Sequence, residues 1–161
     1  MAWSDNMIPL FRVVSGDMDT PYTYSDPRVI DLLISAAVIV LSELDFAYSY
    51  TVDIVKKTIA PAPTSTGEQA FEILVVLKAA CIVATSEYRT ASLHGMAVRD
   101  GPSSIDTRGR VAGLKGFADI QCEKYNRAKL AYSMGDGLTG KVIVGPHLTY
   151  ESDIGTSSPG R

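Results

Sequence analysis

Apolar residues recur at Val29, Ile30, Leu33, Ile34, Ala37, Val40, Leu41 and Leu44, at the spacing of one helix face. Pro27 stands where a first helical turn would begin, with Ser25 or Asp26 before it as a cap, so a helix is predicted over 26–45. Leu32, Val38 and Ile39 widen the stripe beyond one side. A helix apolar nearly all round is either central to a core or covered by a partner. The period then changes. Along Tyr48-Ser49-Tyr50-Thr51-Val52-Asp53-Ile54 every second residue is large and apolar, the mark of a half-buried strand or extended segment. Lys56, Lys57, Pro61 and Pro63 end it, and residues 61–67 read as a loop. A second stripe through Phe71, Leu74, Val75, Lys78, Ala79, Ile82 and Val83 predicts a helix over 67–92. Ser65 with Glu68, and Thr66 with Gln69, both fit a capping box at its start. Met96 and Val98 alternate with polar neighbours as a short extended piece, and Asp100-Gly101-Pro102 turns the chain. A third line at Val111, Leu114, Ala118, Gln121, Tyr125, Ala128 and Tyr132 predicts a helix over 107–134, capped by Asp106 or Thr107 and closed by Gly135 and Gly137.

The fold class these elements imply is mainly α: a three-helix core, a small helical bundle, with short extended or β segments and extended N- and C-terminal arms. The organisation is an arm over 1–24, a helical core over 25–135 and a C-terminal arm over 136–161. Leu33, Ile34, Ala37, Leu74, Ile82, Leu114 and Ala118 are the expected buried positions. The first arm holds Pro9, Gly16 and Pro21 and no sustained period. Its Met7, Ile8, Leu10 and Phe11 are too apolar to float in water, so it packs on its own core or on a neighbouring subunit. After Lys141-Val142-Ile143-Val144, one short extended run, the second arm ends in a polar stretch rich in Ser and Gly. With 161 residues and 46% hydrophobic content, one domain with a buried core is feasible. The run Leu32 to Leu41 is too short to span a bilayer, and Met1 to Leu10 lacks the pattern of a secretory signal.

A net charge of −3 argues against a dedicated nucleic-acid binder, but the balance is uneven. Seven basic residues (Arg99, Arg108, Arg110, Lys115, Lys124, Arg127 and Lys129) face four acids between Arg99 and Lys129, leaving eight bases against fourteen acids elsewhere. Such opposed regions can attract subunits head to tail, and they can equally be solvated helix faces. Cys81 and Cys122 are too few for a disulfide framework and fit a reducing compartment, Cys81 as a core thiol. His94 and His147 are too isolated for a metal site, and no CxxC, HExxH, P-loop or GxSxG motif occurs. The glycine-rich Gly135 to Lys141 segment follows a helix instead of opening one, so no helix N-terminus faces a phosphate there. No catalytic, cofactor-binding or metal-ligating residue is identified. Eight tyrosines, among them Tyr125 and Tyr132, seven residues apart on the third helix, suit protein interfaces or half-buried core edges.

The segment Val98-Arg99-Asp100-Gly101-Pro102-Ser103-Ser104-Ile105-Asp106-Thr107, followed by a tyrosine-bearing helix, resembles the loop between the last two long helices of tailed-bacteriophage head–tail connector (adaptor) proteins. Asp26-Pro27 at the first helix and Tyr132-Ser133-Met134-Gly135 at the last match the same pattern, so the resemblance covers roughly residues 26 to 145. It implies a non-enzymatic virion protein of the phage neck, made in the host cytoplasm. Such a protein is a homo-oligomeric ring, typically a dodecamer, that joins the portal protein to tail or stopper proteins. Double-stranded DNA passes through it non-specifically, and no membrane or cofactor is involved. Interface candidates are Arg99, Asp100, Arg108, Arg110, Tyr125, Tyr132, Val142, Ile143 and Val144. A folded chain of this size exposes roughly 7,800 Å², of which obligate ring contacts would cover roughly 2,000 Å² or more. The alternatives are a head-closure (stopper) or tail-completion protein, usually β-rich, and a small helical ligand-binding or regulatory domain.

Overall fold

A computed structural model describes residues 3–93, 97–100, 103–106 and 108–138. The chain is mainly helical, as the stripes predict. The elements are α1 (Trp3–Ser15), α2 (Asp26–Glu43), β1 (Thr51–Asp53), β2 (Thr58–Ala60), α3 (Pro63–Thr66), α4 (Gln69–Leu93), β3 (Ala97–Asp100), β4 (Ser103–Asp106) and α5 (Arg108–Leu138). Four long helices build the core, where the stripes predicted three.

The additional helix corrects the reading of residues 1–24 as an irregular, extended arm. Trp3, Met7 and Phe11 fall four residues apart and are buried on one face of α1. Pro9 lies inside the helix, where it costs about 3 kcal/mol. Burying three large side chains, at roughly 1.5–3 kcal/mol each, outweighs that. Gly16, at φ +78°, takes the left-handed conformation that ends the helix. Of the two places open to this segment, the structure uses the chain's own core: α1 packs on α2 and α4.

The central helix is α4, packed on by α1, α2 and α5. Phe71, Leu74, Val75, Val76, Ala79, Ala80, Val83 and Ala84 are buried around it, as befits a helix central to a core. By length and composition α4 could cross a membrane, and 44% of its most apolar stretch is buried within this fold. Its predicted capping boxes do not form, because Gly67 at φ +70° separates the single turn of α3 from α4. The Ser65 hydroxyl donates back to the Ala62 carbonyl at 2.7 Å, and the Glu68 carboxylate turns to the Ala47 amide at 3.2 Å and the Tyr50 hydroxyl at 3.1 Å. Part of the predicted 61–67 loop is therefore α3. Ser25 likewise occupies the N-cap of α2 without a side-chain bond, while Pro27 sits in the first turn.

The Tyr48–Ile54 alternation yields a shorter strand than predicted. β1 pairs antiparallel with β2 in the register Val52↔Ile59, Tyr50 is buried, and Ile54 is exposed at the turn. Tyr50 stacks on Phe71 with centroids 4.1 Å apart, and Phe46 meets Phe71 and Tyr132 at 5.1 Å. β3 and β4 form a second antiparallel pair, in the register Asp100↔Ser103; Gly101 and Pro102 of the predicted turn lie outside the described residues. This hairpin joins α4 to α5, which run antiparallel: Lys78 meets Tyr125, and Cys81 meets Cys122.

The predicted line on α5 is its inner face. Ala118, Gln121 and Tyr125 are buried, and Val111, Leu114, Ala128 and Tyr132 are half-buried. Gly135 and Gly137 do not end the helix, which continues to Leu138. Leu33, Ile34, Ala37, Leu74 and Ala118 are buried as expected, whereas Ile82 and Leu114 are half-buried. Cys81 and Cys122 are not the free thiols expected: they form a disulfide, with Cα atoms 4.6 Å apart. The antiparallel pairing of α4 and α5 places the two positions opposite each other. By chain entropy, a closed loop spanning 41 residues stabilises the fold by about 4 kcal/mol.

Candidate functional site

The site begins with Arg12, near the end of α1. Its guanidinium is buried and donates to Asp17 at 3.0 Å, to the Tyr24 carbonyl at 3.2 Å and to Asp26. Asp17 in turn accepts from the backbone amides of Thr23 at 2.7 Å and Tyr24 at 3.2 Å. Arg12 also lies 3.6 Å from the Tyr22 ring centroid. This clamp fixes the chain between α1 and α2. Buried charges need this density of partners, since a lone one would be strongly destabilising.

Tyr24, held by the clamp, packs edge-on against Phe11 and donates its hydroxyl to Glu87 on α4. Arg28, in the first turns of α2, lies over the Tyr24 ring at 5.2 Å. Burial pushes the Glu87 carboxyl above its usual range, the Arg110 charge pulls it down and Asp17 adds a smaller upward push. Between these groups lies a cleft of about 480 Å³. Tyr24 and Arg28 form one wall, Ser86, Glu87, Thr90 and Ala91 of α4 another, and Arg110, Val111 and Leu114 of α5 a third. The Thr90 hydroxyl is spent on the Ser86 carbonyl at 3.0 Å. Neither Arg28 nor Arg110 forms an ion pair with a carboxylate among the described residues. Two guanidiniums, one carboxylate and an apolar floor suit binding of an amphipathic anion.

Comparison with family models, curated proteins and solved structures finds no match. The chain's own geometry carries the functional argument.

The interface candidates from the sequence are dispersed. Arg110 lines the cleft. Tyr125 is 2% exposed and donates to Glu43 at 2.6 Å, so it belongs to the chain's own core and is corrected as an interface residue. Tyr132 is half-buried and reaches the Asp45 carbonyl at 3.3 Å. Arg99 and Asp100 lie on β3, and Arg108 opens α5. Val142, Ile143 and Val144 lie outside the described residues. Sequence reasoning missed Arg28 and Glu87. The available signal for Glu87 was a carboxylate that follows the apolar run Ala79–Ala84 of α4, where partial burial calls for a partner. No group of three or more His, Cys, Asp or Glu able to hold a metal occurs among the described residues.

Proposed function

We propose that this chain is a head–tail connector subunit of a phage neck: a structural protein that assembles into a ring, joins the portal to the tail and continues the DNA channel. The observation that carries the reading is the outer face of α5. Phe117, Ile120, Leu130 and Met134 are 38%, 54%, 56% and 57% exposed. They lie away from the buried line through Ala118, Gln121 and Tyr125. Gly113 and Gly116 adjoin them, and a Cβ at either would meet nothing within 4 Å. A second exposed apolar set, Leu10, Val13, Met18 and Tyr22, lies on α1 and the loop after it.

On α5 the apolar spots at Ile120 and at Leu130 and Met134 flank the exposed Glu123–Arg127 ion pair; together with the α1 set they suit heterologous contact, which closes into a ring where the rotation allows it. The β3–β4 hairpin carries the motif of the resemblance and joins the two longest helices, which supports the reading. A mainly helical fold supports a connector over a β-rich head-closure or tail-completion protein.

The test is the native mass of the purified chain and its symmetry by electron microscopy. A closed ring, twelvefold by the resemblance, is the expected result. The cleft favours one other reading, a small helical ligand-binding domain. That reading predicts a monomer at high micromolar concentration that retains a small anion.

A further inference from the structure

We infer that the cleft between α2, α4 and α5 is a receptor for the acidic C-terminal segment of a second copy of this chain, residues Leu148 to Ile154. The inference rests on the ring reading and names a contact that would hold the ring together. Three observations support it.

The first is charge. Two exposed guanidiniums, Arg28 and Arg110, face one carboxylate, Glu87, whose acceptor capacity is partly used by Tyr24. The cleft therefore keeps an excess of donors with fork geometry for carboxylates. The chain after α5 supplies two carboxylates close together, in Leu148-Thr149-Tyr150-Glu151-Ser152-Asp153-Ile154. Among residues 139–161 these are the two acids.

The second is pattern. In an extended chain alternate side chains share a face, so Glu151 and Asp153 would fall on one side and Tyr150, Ser152 and Ile154 on the other. The cleft's lining offers both kinds of surface: guanidiniums from Arg28 and Arg110, and apolar side chains from Val111, Leu114 and Ala91. Its volume of about 480 Å³ accommodates a few side chains and not a folded element.

The third is reach, which decides between the chain's own tail and another's. Arg110 and Leu138 stand at opposite ends of α5, about 42 Å apart at ~1.5 Å per residue. The thirteen and fifteen steps from Leu138 to Glu151 and Asp153 span about 45 and 50 Å at full extension. A relaxed linker of that length averages roughly 20 Å. The chain's own carboxylates would reach their own cleft only by running back almost straight along α5, at the cost of most of that segment's conformational freedom. A neighbour whose α5 ends closer to the cleft delivers the same segment without that loss. Each subunit then gives a tail to one neighbour and receives one from the other, the heterologous contact a ring requires.

The experiment uses the full chain with a photo-crosslinking amino acid at position 150, mixed as isotopically light and heavy copies. After irradiation, the joined peptides are mapped by mass spectrometry and the native mass is recorded on the same sample. Crosslinks from position 150 to peptides containing Arg28, Glu87 or Arg110, in mixed light–heavy form, are the expected result. Arg28→Glu with Arg110→Glu should lower their yield by about fivefold. Helicity and thermal midpoint serve as controls for folding. Glu151→Gln with Asp153→Asn should lower the yield in the same way. Crosslinks confined to single copies would show the tail on its own chain and overturn the exchange. A closed ring without cleft crosslinks would also overturn it while leaving the ring reading intact, whereas a monomer would overturn both.

Discussion

Glu43 is the last residue of α2, where the helix carbonyls already concentrate negative charge. A carboxylate is stable there because cations surround it. Lys129 donates to it at 2.8 Å and Lys78 at 3.2 Å, while the Tyr125 hydroxyl adds a third bond at 2.6 Å. Lys129 and Tyr125 lead in holding the carboxyl down from 4.5 to about 2, with burial opposing them. Burial, and then this hydrogen bond, push the Tyr125 hydroxyl upward. Because the folded-state value is depressed, the stabilisation is fully present above pH ~4.5 and is lost as pH falls towards 2. Glu43 is 26% exposed, so solvent screening limits the contribution to about 1–2 kcal/mol. The stability gap between the wild type and Glu43→Gln, measured by urea denaturation, should have that size at pH 6. It should close by pH 2. A gap that does not change with pH would show that the ion cluster contributes nothing to folding.

Leu74 on α4 is 2% exposed, and α4 is the helix that all the other long helices in the core contact. Leu74→Ala should therefore cost about 2–5 kcal/mol, read from the shift in denaturation midpoint. That residue, and the inner line of α5 from Val111 to Tyr132, were legible because a buried face imposes its period on the sequence. α1 was not legible, since Pro9 interrupts it and three anchors give too short a pattern. Its helical state depends on tertiary burial of Trp3, Met7 and Phe11 and on the Arg12 bonds to the Tyr24 carbonyl and Asp26, which lie beyond the helix's own sequence. The disulfide escaped for a similar reason. The 41-residue separation of Cys81 and Cys122 says nothing about contact until α4 and α5 are known to be antiparallel. In the cleft, Arg110 stood out through its charge context, while Arg28 and Glu87 acquire meaning only from Tyr24, which the clamp places between them.

On the scale of the whole molecule, the charge split acquires positions. Of the basic residues between Arg99 and Lys129, Lys129 is bound to Glu43, Arg127 pairs with Glu123 at 2.5 Å, and Arg110 lines the cleft. Lys115 and Lys124 remain on the exposed surface of α5. In the proposed ring this basic excess belongs at contacts between subunits or with the portal, because the channel must let DNA slide. A dense cationic wall would hold the duplex, each neutralised phosphate steepening the salt dependence by about 0.9 in log–log slope. A charge of −3 per chain, multiplied around a ring, repels DNA at long range instead. The isolated ring should therefore show negligible binding to duplex DNA at both ~50 mM and ~200 mM salt, measured by fluorescence anisotropy. Tight binding at the lower concentration that collapses at the higher would reveal a basic track along the lumen. Lys115 and Lys124 would then face the channel instead of the subunit contacts, and the sliding-channel placement of charge would fail.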